Sequence, residues 1–241
     1  MGRRSDMRIR RMDALWQLVW LTAALMASGS ALAAGQSPAT GTIKGVVRTA
    51  VRQALPPLKV TSDQQVCGTS LPDESLSLGT NGAVLNAVVI VSSVKGSGGP
   101  ATLVLTNRKC AFQPRVQLAA PKAMVTVTSE DPMLHNTHVY DEKDYSLFNV
   151  ALPAPGAKLT RPVREAGIVK VKCDVHPWMR GFIIVTDEPT SVTTAEGTFE
   201  IHNVPAGTHQ VRVWHEHLKG PTQSVTVVAG QVATVDFTLV K

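Results

Sequence analysis

The chain has 241 residues, enough for one large domain or two small ones, and its 24 Lys and Arg against 18 Asp and Glu give a formal charge of +6. Part of that excess sits in the first 33 residues, with five Arg and two Asp; without them the charge falls to +3, 19 basic against 16 acidic. The remaining Lys and Arg are scattered and form no basic stripe, which argues against a nucleic-acid partner.

Residues 1–33 read as a signal peptide. Arg3, Arg4, Arg8, Arg10 and Arg11 make a basic start, Leu15 to Met26 is mostly apolar, and Ala31-Leu32-Ala33 is a small-x-small cleavage signal. The opposed reading is a retained membrane anchor, but the apolar run is short of the ~20 residues that span a bilayer. Two Arg-Arg pairs invite a twin-arginine reading that the following residues fit poorly. Cleavage near Ala33 makes the mature chain periplasmic or secreted, with no membrane span. Such a chain meets an oxidising compartment. It keeps three cysteines, Cys67, Cys110 and Cys173, and an odd count leaves one thiol that needs a reason to survive.

Beyond residue 40 nearly everything reads as β. Short runs rich in Val, Ile and Thr alternate with Gly, Pro, Asn and Asp: Thr42 to Arg48, Ala83 to Val91, Thr102 to Thr106, Met124 to Thr128, Ile168 to Cys173, Gly181 to Thr186, Gln210 to Trp214 and Ala233 to Leu239. The predicted fold class is all-β, a sandwich or barrel. Three segments follow the signal. Residues 41–99 begin with a strand, contain Cys67 and end in a flexible Gly96-Ser97-Gly98-Gly99; residues 100–187 carry the dense chemistry; residues 188–241 form a tail.

The chemistry centres on Lys172-Cys173-Asp174-Val175-His176-Pro177-Trp178-Met179, where Cys, His and Met follow at three-residue steps. Strand alternation puts Cys173 on the apolar face with Val169 and Val171, opposite Lys170 and Lys172. Thiolate and thioether are soft donors that favour copper over magnesium or calcium, and two imidazoles, one thiolate and a weak axial Met make an electron-transfer copper site. The missing imidazole comes from Leu134-His135-Asn136-Thr137-His138-Val139, whose two histidines face opposite sides if the segment is a strand. His135 shares the apolar face with Val139, which favours it over His138. The competing reading makes Cys173 an inert buried thiol and Met179 a core filler.

Pro132-Met133-Leu134-His135-Asn136-Thr137-His138 followed by Cys173-Asp174-Val175-His176-Pro177-Trp178-Met179 resembles the cupredoxin family, closest to amicyanin and pseudoazurin, over roughly residues 100–187. The resemblance implies a Greek-key β-sandwich holding one type 1 copper ion. His135, Cys173 and His176 would be ligands, Met179 the axial ligand, and Asn136 the neighbour tying the ligand loops together. Asp174-Val175 departs from the family's usual Thr-Pro, which leaves open the hydrogen bonding at the sulfur. With Cys173 on copper, Cys67 and Cys110 are left to pair as a disulfide. The tail phrases Gly197-Thr198-Phe199-Glu200-Ile201 and Asn203-Val204-Pro205-Ala206-Gly207-Thr208 resemble carboxypeptidase-regulatory-like, transthyretin-type sandwiches. Gly41 to Arg48 resembles that module's first strand, so residues 41–60 can complete it and the copper region can be an insertion.

No second cysteine in the loop allows a dinuclear centre, and no Ser-His-Asp or Gly-rich phosphate motif appears. A closed four-ligand site suits electron transfer without catalysis, exchanging with a periplasmic redox partner. The alternative is a non-enzymatic copper-binding, sensing or cell-surface interaction module. His176, in a loop, is expected to be the ligand nearest solvent, and Met133, Leu134, Pro177 and Trp178 to form an apolar docking patch around it. Trp214-His215-Glu216-His217 is a second metal candidate, with both histidines on one strand face; nothing nearby completes it. His202 and His209 read as surface residues.

Overall fold

Apolar alternation decides most strands, and the register of their pairing decides which side chains meet at the end of the sheet. In the computed structural model, residues 39–241 apart from 93 and 97 are described, and the expected signal peptide lies outside them. In chain order the described residues form β1 (Thr40–Thr49), β2 (Leu58–Lys59), the one-turn helix α1 (Gln64–Cys67), β3 (Ser70–Leu71) and β4 (Val88–Ser92). There follow β5 (Thr102–Arg108), β6 (Ala111–Gln113), β7 (Val116–Ala119), β8 (Met124–Ser129), β9 (His135–Tyr140), β10 (Ser146–Leu152), β11 (Lys158–Pro162), β12 (Gly167–Lys172) and β13 (Arg180–Val185). The last are β14 (Thr190–Val192), β15 (Thr198–Pro205), β16 (Gly207–Trp214), β17 (Gln223–Val227), β18 (Val232–Thr234) and β19 (Phe237–Leu239). The protein is all-β, and among the described residues no helix is long and apolar enough to cross a membrane.

Two sandwiches result. In the first, the sheet β10-β9-β12-β13-β7 faces the sheet β11-β8-β5-β6. Leu103, Leu105, Val125 and Val127 from one sheet meet Val139, Val150, Val169, Val171 and Ile183 from the other. In the second, β15-β1-β18, with β19 also on β1, faces β14-β4-β16-β17. Its core holds Ile43 and Val47 of β1, Val89 and Val91 of β4, and Phe199, Val211, Val225 and Phe237 from the tail. A third apolar layer, with Val88 and Ile90 against Val116 and Ile184, lies between β4 and the β13–β7 pair. The ion pair of Arg115 with Glu216, at 2.7 Å and largely buried, lies at that junction.

The chain makes the second sandwich in pieces and leaves it twice. Residues 58–71 pack on the first core through Val60 and Cys67. The chain departs again after β4 and returns at β14, which pairs antiparallel with β4, Thr190 opposite Ile90. The disulfide Cys67–Cys110, Cα atoms 5.6 Å apart, staples the first excursion to the second.

Three expectations need correcting. The run Ala83 to Val91 is regular strand only from Val88, because Asn86 adopts φ 59 in the left-handed region, and Ala83 and Val84 make isolated bridges instead. Ala233 to Leu239 breaks at Val235-Asp236, where the Asp236 carboxylate accepts the β1 backbone N–H of Val46 at 2.8 Å. The glycine run is no loose linker: a Cβ on Gly98 would lie 1.9 Å from the Thr186 carbonyl, and one on Gly99 2.0 Å from the Ala119 nitrogen, so only glycine permits that crossing.

Candidate metal centre

β9 pairs antiparallel with β12, Val139 opposite Val171 and His138 opposite Lys172. The start of β9 therefore lies against the end of β12, and His135 meets the loop that leaves at Cys173. β12 and β13 form a hairpin with Lys172 opposite Arg180, so Cys173 to Met179 is its whole connection. Inside that connection the Met179 N–H donates to the His176 carbonyl at 2.9 Å and the Cys173 N–H donates to the Met179 carbonyl at 3.4 Å. His135, Cys173, His176 and Met179 are all buried.

Three donor atoms converge. His135 Nδ1 and His176 Nδ1 are 3.0 Å apart. Cys173 Sγ lies 3.7 Å from His176 Nδ1, and the three ligand atoms lie within 4.8 Å of one another. Met179 follows in the same loop, its side chain in the same buried cluster as Cys173.

The outward nitrogens are both taken. Asp131 Oδ2 lies 2.9 Å from His135 Nε2, and Asp63 Oδ2 lies 3.0 Å from His176 Nε2. A carboxylate accepts only, so each ring hydrogen belongs on Nε2 and each Nδ1 keeps a lone pair. Two lone pairs 3.0 Å apart, with a sulfur beside them, lack a positive centre: a proton or a cation has to lie among them. The donor set of two imidazoles, one thiol and a nearby thioether fits copper. Burial, and next the neighbouring His176, push the His135 imidazole below its ordinary range, keeping it a neutral donor.

Asn136 joins the start of β9 to the Cys173 connection. Its Oδ1 accepts the Asp174 N–H at 2.7 Å and the Cys173 thiol at 3.2 Å, while its Nδ2 donates to Asp174 Oδ2 and Asn149 Oδ1. Partial burial alone would raise the Asp174 carboxyl, but hydrogen bonds from His138, Asn136 and Asn149 hold it below its usual range. Asp174 thus grips the Asn136 amide and not the sulfur. His138 lies on the other face, near Asp174, Tyr140 and Ser146.

Two expectations about the surface fail. The His176 side chain is 0% exposed, because Asp63 covers its outer edge. Trp178 is turned inward, 9% exposed, its ring 5.0 Å from that of His176, since the hairpin connection leaves the indole an apolar core to fill. Of the proposed patch, Leu134 (48%) and Pro177 are exposed and Met133 is half-buried against the core. The second metal candidate also dissolves. His215 and His217 lie in the loop after β16; His215 Nδ1 accepts the N–H groups of His217 and Leu218, and His217 is exposed.

Asp131 and Asp63 are missed by sequence reasoning. Asp131 stands four residues before His135, a signal in plain view. Asp63 is 113 residues from His176 and carries no local signal.

The carboxypeptidase regulatory-like domain family matches residues 182–240. Solved structures similar to this chain include a purple cupredoxin, amicyanin variants and a copper-containing nitrite reductase. A novel purple cupredoxin from Nitrosopumilus maritimus is 25% identical over 36% of this chain and 100% of that one, with a TM-score of 0.32. A reduced amicyanin variant is 21% identical over 41% of this chain and 98% of its own, TM-score 0.32. A copper-containing nitrite reductase from Thermus scotoductus is 19% identical over 36% of this chain and 23% of its own, TM-score 0.31. No curated protein matches.

Proposed function

We propose that this chain is an exported, non-enzymatic protein that holds one type 1 copper ion through His135, Cys173 and His176, with Met179 axial, and passes electrons to a periplasmic redox partner. The observation that carries the reading is the pair of imidazole Nδ1 atoms 3.0 Å apart beside a buried thiol, with both Nε2 atoms already committed to carboxylates. Copper bound there supplies a one-electron couple. The protein's own part is to hold one geometry: Asn136 fixes both ligand segments, the hairpin connection fixes His176 and Met179, and the core excludes water. Export rests on the sequence of residues 1–33 and on the disulfide, which suits an oxidising compartment.

The test is the visible spectrum of the copper-loaded protein. An intense blue charge-transfer band that Cys173→Ser abolishes is expected; a band that survives the substitution sinks the assignment. A second reading, copper binding or sensing without fast electron exchange, is favoured by the covered edge of His176. A reversible voltammetric wave with rapid self-exchange favours electron transfer; tight copper without one favours the second reading.

A further inference from the structure

Asp63 stands at the N-cap of α1, where an aspartate ordinarily accepts a backbone N–H of the first turn. Its side chain makes no such bond. Its backbone adopts φ 50, ψ 34, in the left-handed region, and its carboxylate reaches instead to His176 Nε2 at 3.0 Å. A cap carboxylate turned away from its own helix, on strained backbone, toward a fully buried imidazole is placed for that contact.

Asp63 is held from behind. Its carbonyl accepts the N–H groups of Val66 and Cys67, both at 3.0 Å. Cys67 is bonded to Cys110, which sits in a turn where Lys109 and Cys110 both have positive φ. Asp131 grips that turn, accepting the Lys109 N–H at 2.7 Å and the Cys110 N–H at 2.8 Å, and the same carboxylate reaches His135. A continuous path thus runs from His176 through Asp63, α1, the disulfide, the turn and Asp131 to His135. The segment bearing Asp63 is closed on itself by the two-residue pairing of β2 with β3, and it packs on the first core through Leu58, Val60 and Leu71. Such short pairings are marginal alone.

Resting on the copper reading above, we propose that Asp63 is a positioning residue of the metal centre: it fixes His176 with Nδ1 inward and closes the ring edge, and the Cys67–Cys110 disulfide keeps it there. A carboxylate on the far nitrogen makes an imidazole a stronger donor, which favours the divalent ion over the monovalent one.

The test uses the whole protein, first without metal. By nitrogen-15 NMR the His176 Nε2 proton should exchange slowly with water. Asp63→Ala should speed that exchange about tenfold or more, the loss of one charge-assisted hydrogen bond. Asp63→Glu should restore most of the protection, and the paired Cys67→Ser, Cys110→Ser variant should behave like Asp63→Ala. With copper, Asp63→Ala should weaken Cu(II) about 10–100-fold and Cu(I) less, raising the reduction potential ~59 mV per tenfold difference. Unchanged exchange and unchanged Cu(II) affinity in Asp63→Ala overturn the proposal. A response to Asp63→Ala without one to the paired serines overturns the role of the disulfide. A wild-type protein that never turns blue overturns the copper reading, while the metal-free exchange rates still decide the positioning role.

Discussion

Both sandwiches bury histidine, and His215 and His176 are kept for opposite reasons. His215, in the second sandwich, spends its Nδ1 lone pair on two backbone N–H groups, so its polar atoms close a turn. His176, in the first, aims Nδ1 at another imidazole and a thiol, partners that offer acceptors where it needs a donor. Burying polar groups is costly unless they are paired. The second core meets that cost with few polar groups, whereas the first also encloses His135, Asn136, Asp131 and Cys173 around one point. Burial alone therefore does not mark a site; a set of buried acceptors facing one another does.

The sharpest way to break this contrast is to remove one histidine at a time. His135→Ala should lose or greatly loosen copper, while His138→Ala should leave the blue spectrum nearly unchanged, because His138 lies on the outer face of β9. An inverted pair of spectra would mean that the strand register is wrong. Next in size, Trp178→Ala should cost about 3–5 kcal/mol in denaturant unfolding and disturb the spectrum, since the indole packs on His176. A stable variant with an intact spectrum would return Trp178 to the surface.

The disulfide touches only the first core. Reducing it should lower stability by roughly 2–4 kcal/mol, and peptide mapping without reduction should recover Cys67 joined to Cys110 with Cys173 free. At neutral pH the second sandwich shows no such effect, and it responds only to acid. Burial first, then the charges of His217 and Arg115, lower the pKa of His215 to about 4. The folded state then binds fewer protons than the unfolded one, so stability is complete above about pH 6.5 and falls as pH drops toward 4, by up to about 3 kcal/mol. His215→Asn keeps an acceptor at that point and should flatten the slope; an equally steep loss of stability with acid in that variant would place its source elsewhere.

Much of this was legible in residue order. Alternation found β1, β5, β8, β12, β13 and β16, and the parity of β9 put His135 inside and His138 outside. The thiol, imidazole and thioether at three-residue steps lie in one hairpin connection, so local spacing carried them. What lay hidden depends on contacts across the chain. Nothing near Asp63 says that it reaches His176, because the disulfide and the packing of Val60 bring it there. Trp178, a loop residue between Pro177 and Met179, reads as exposed in sequence, and only the core beside it turns it inward. The break at Val235-Asp236 came from a side chain capturing a backbone donor on another strand, a competition that periodicity cannot register.

The return of the chain from β4 to β14 makes the first sandwich a guest threaded through a host. The two points of attachment are partners in one ladder, Ile90 opposite Thr190, so a tight turn could join them directly. Residues 93–189 contribute no strand to the host, whereas cutting the chain at residue 188 would strip the host of both β1 and β4. The guest is in turn moored at a third point, where Cys67 of the host's other excursion grips Cys110. A graft that carries the Cys173-to-Met179 connection into another scaffold must therefore bring two separated stretches of chain, since the one that begins at β5 leaves the outer edge of His176 bare.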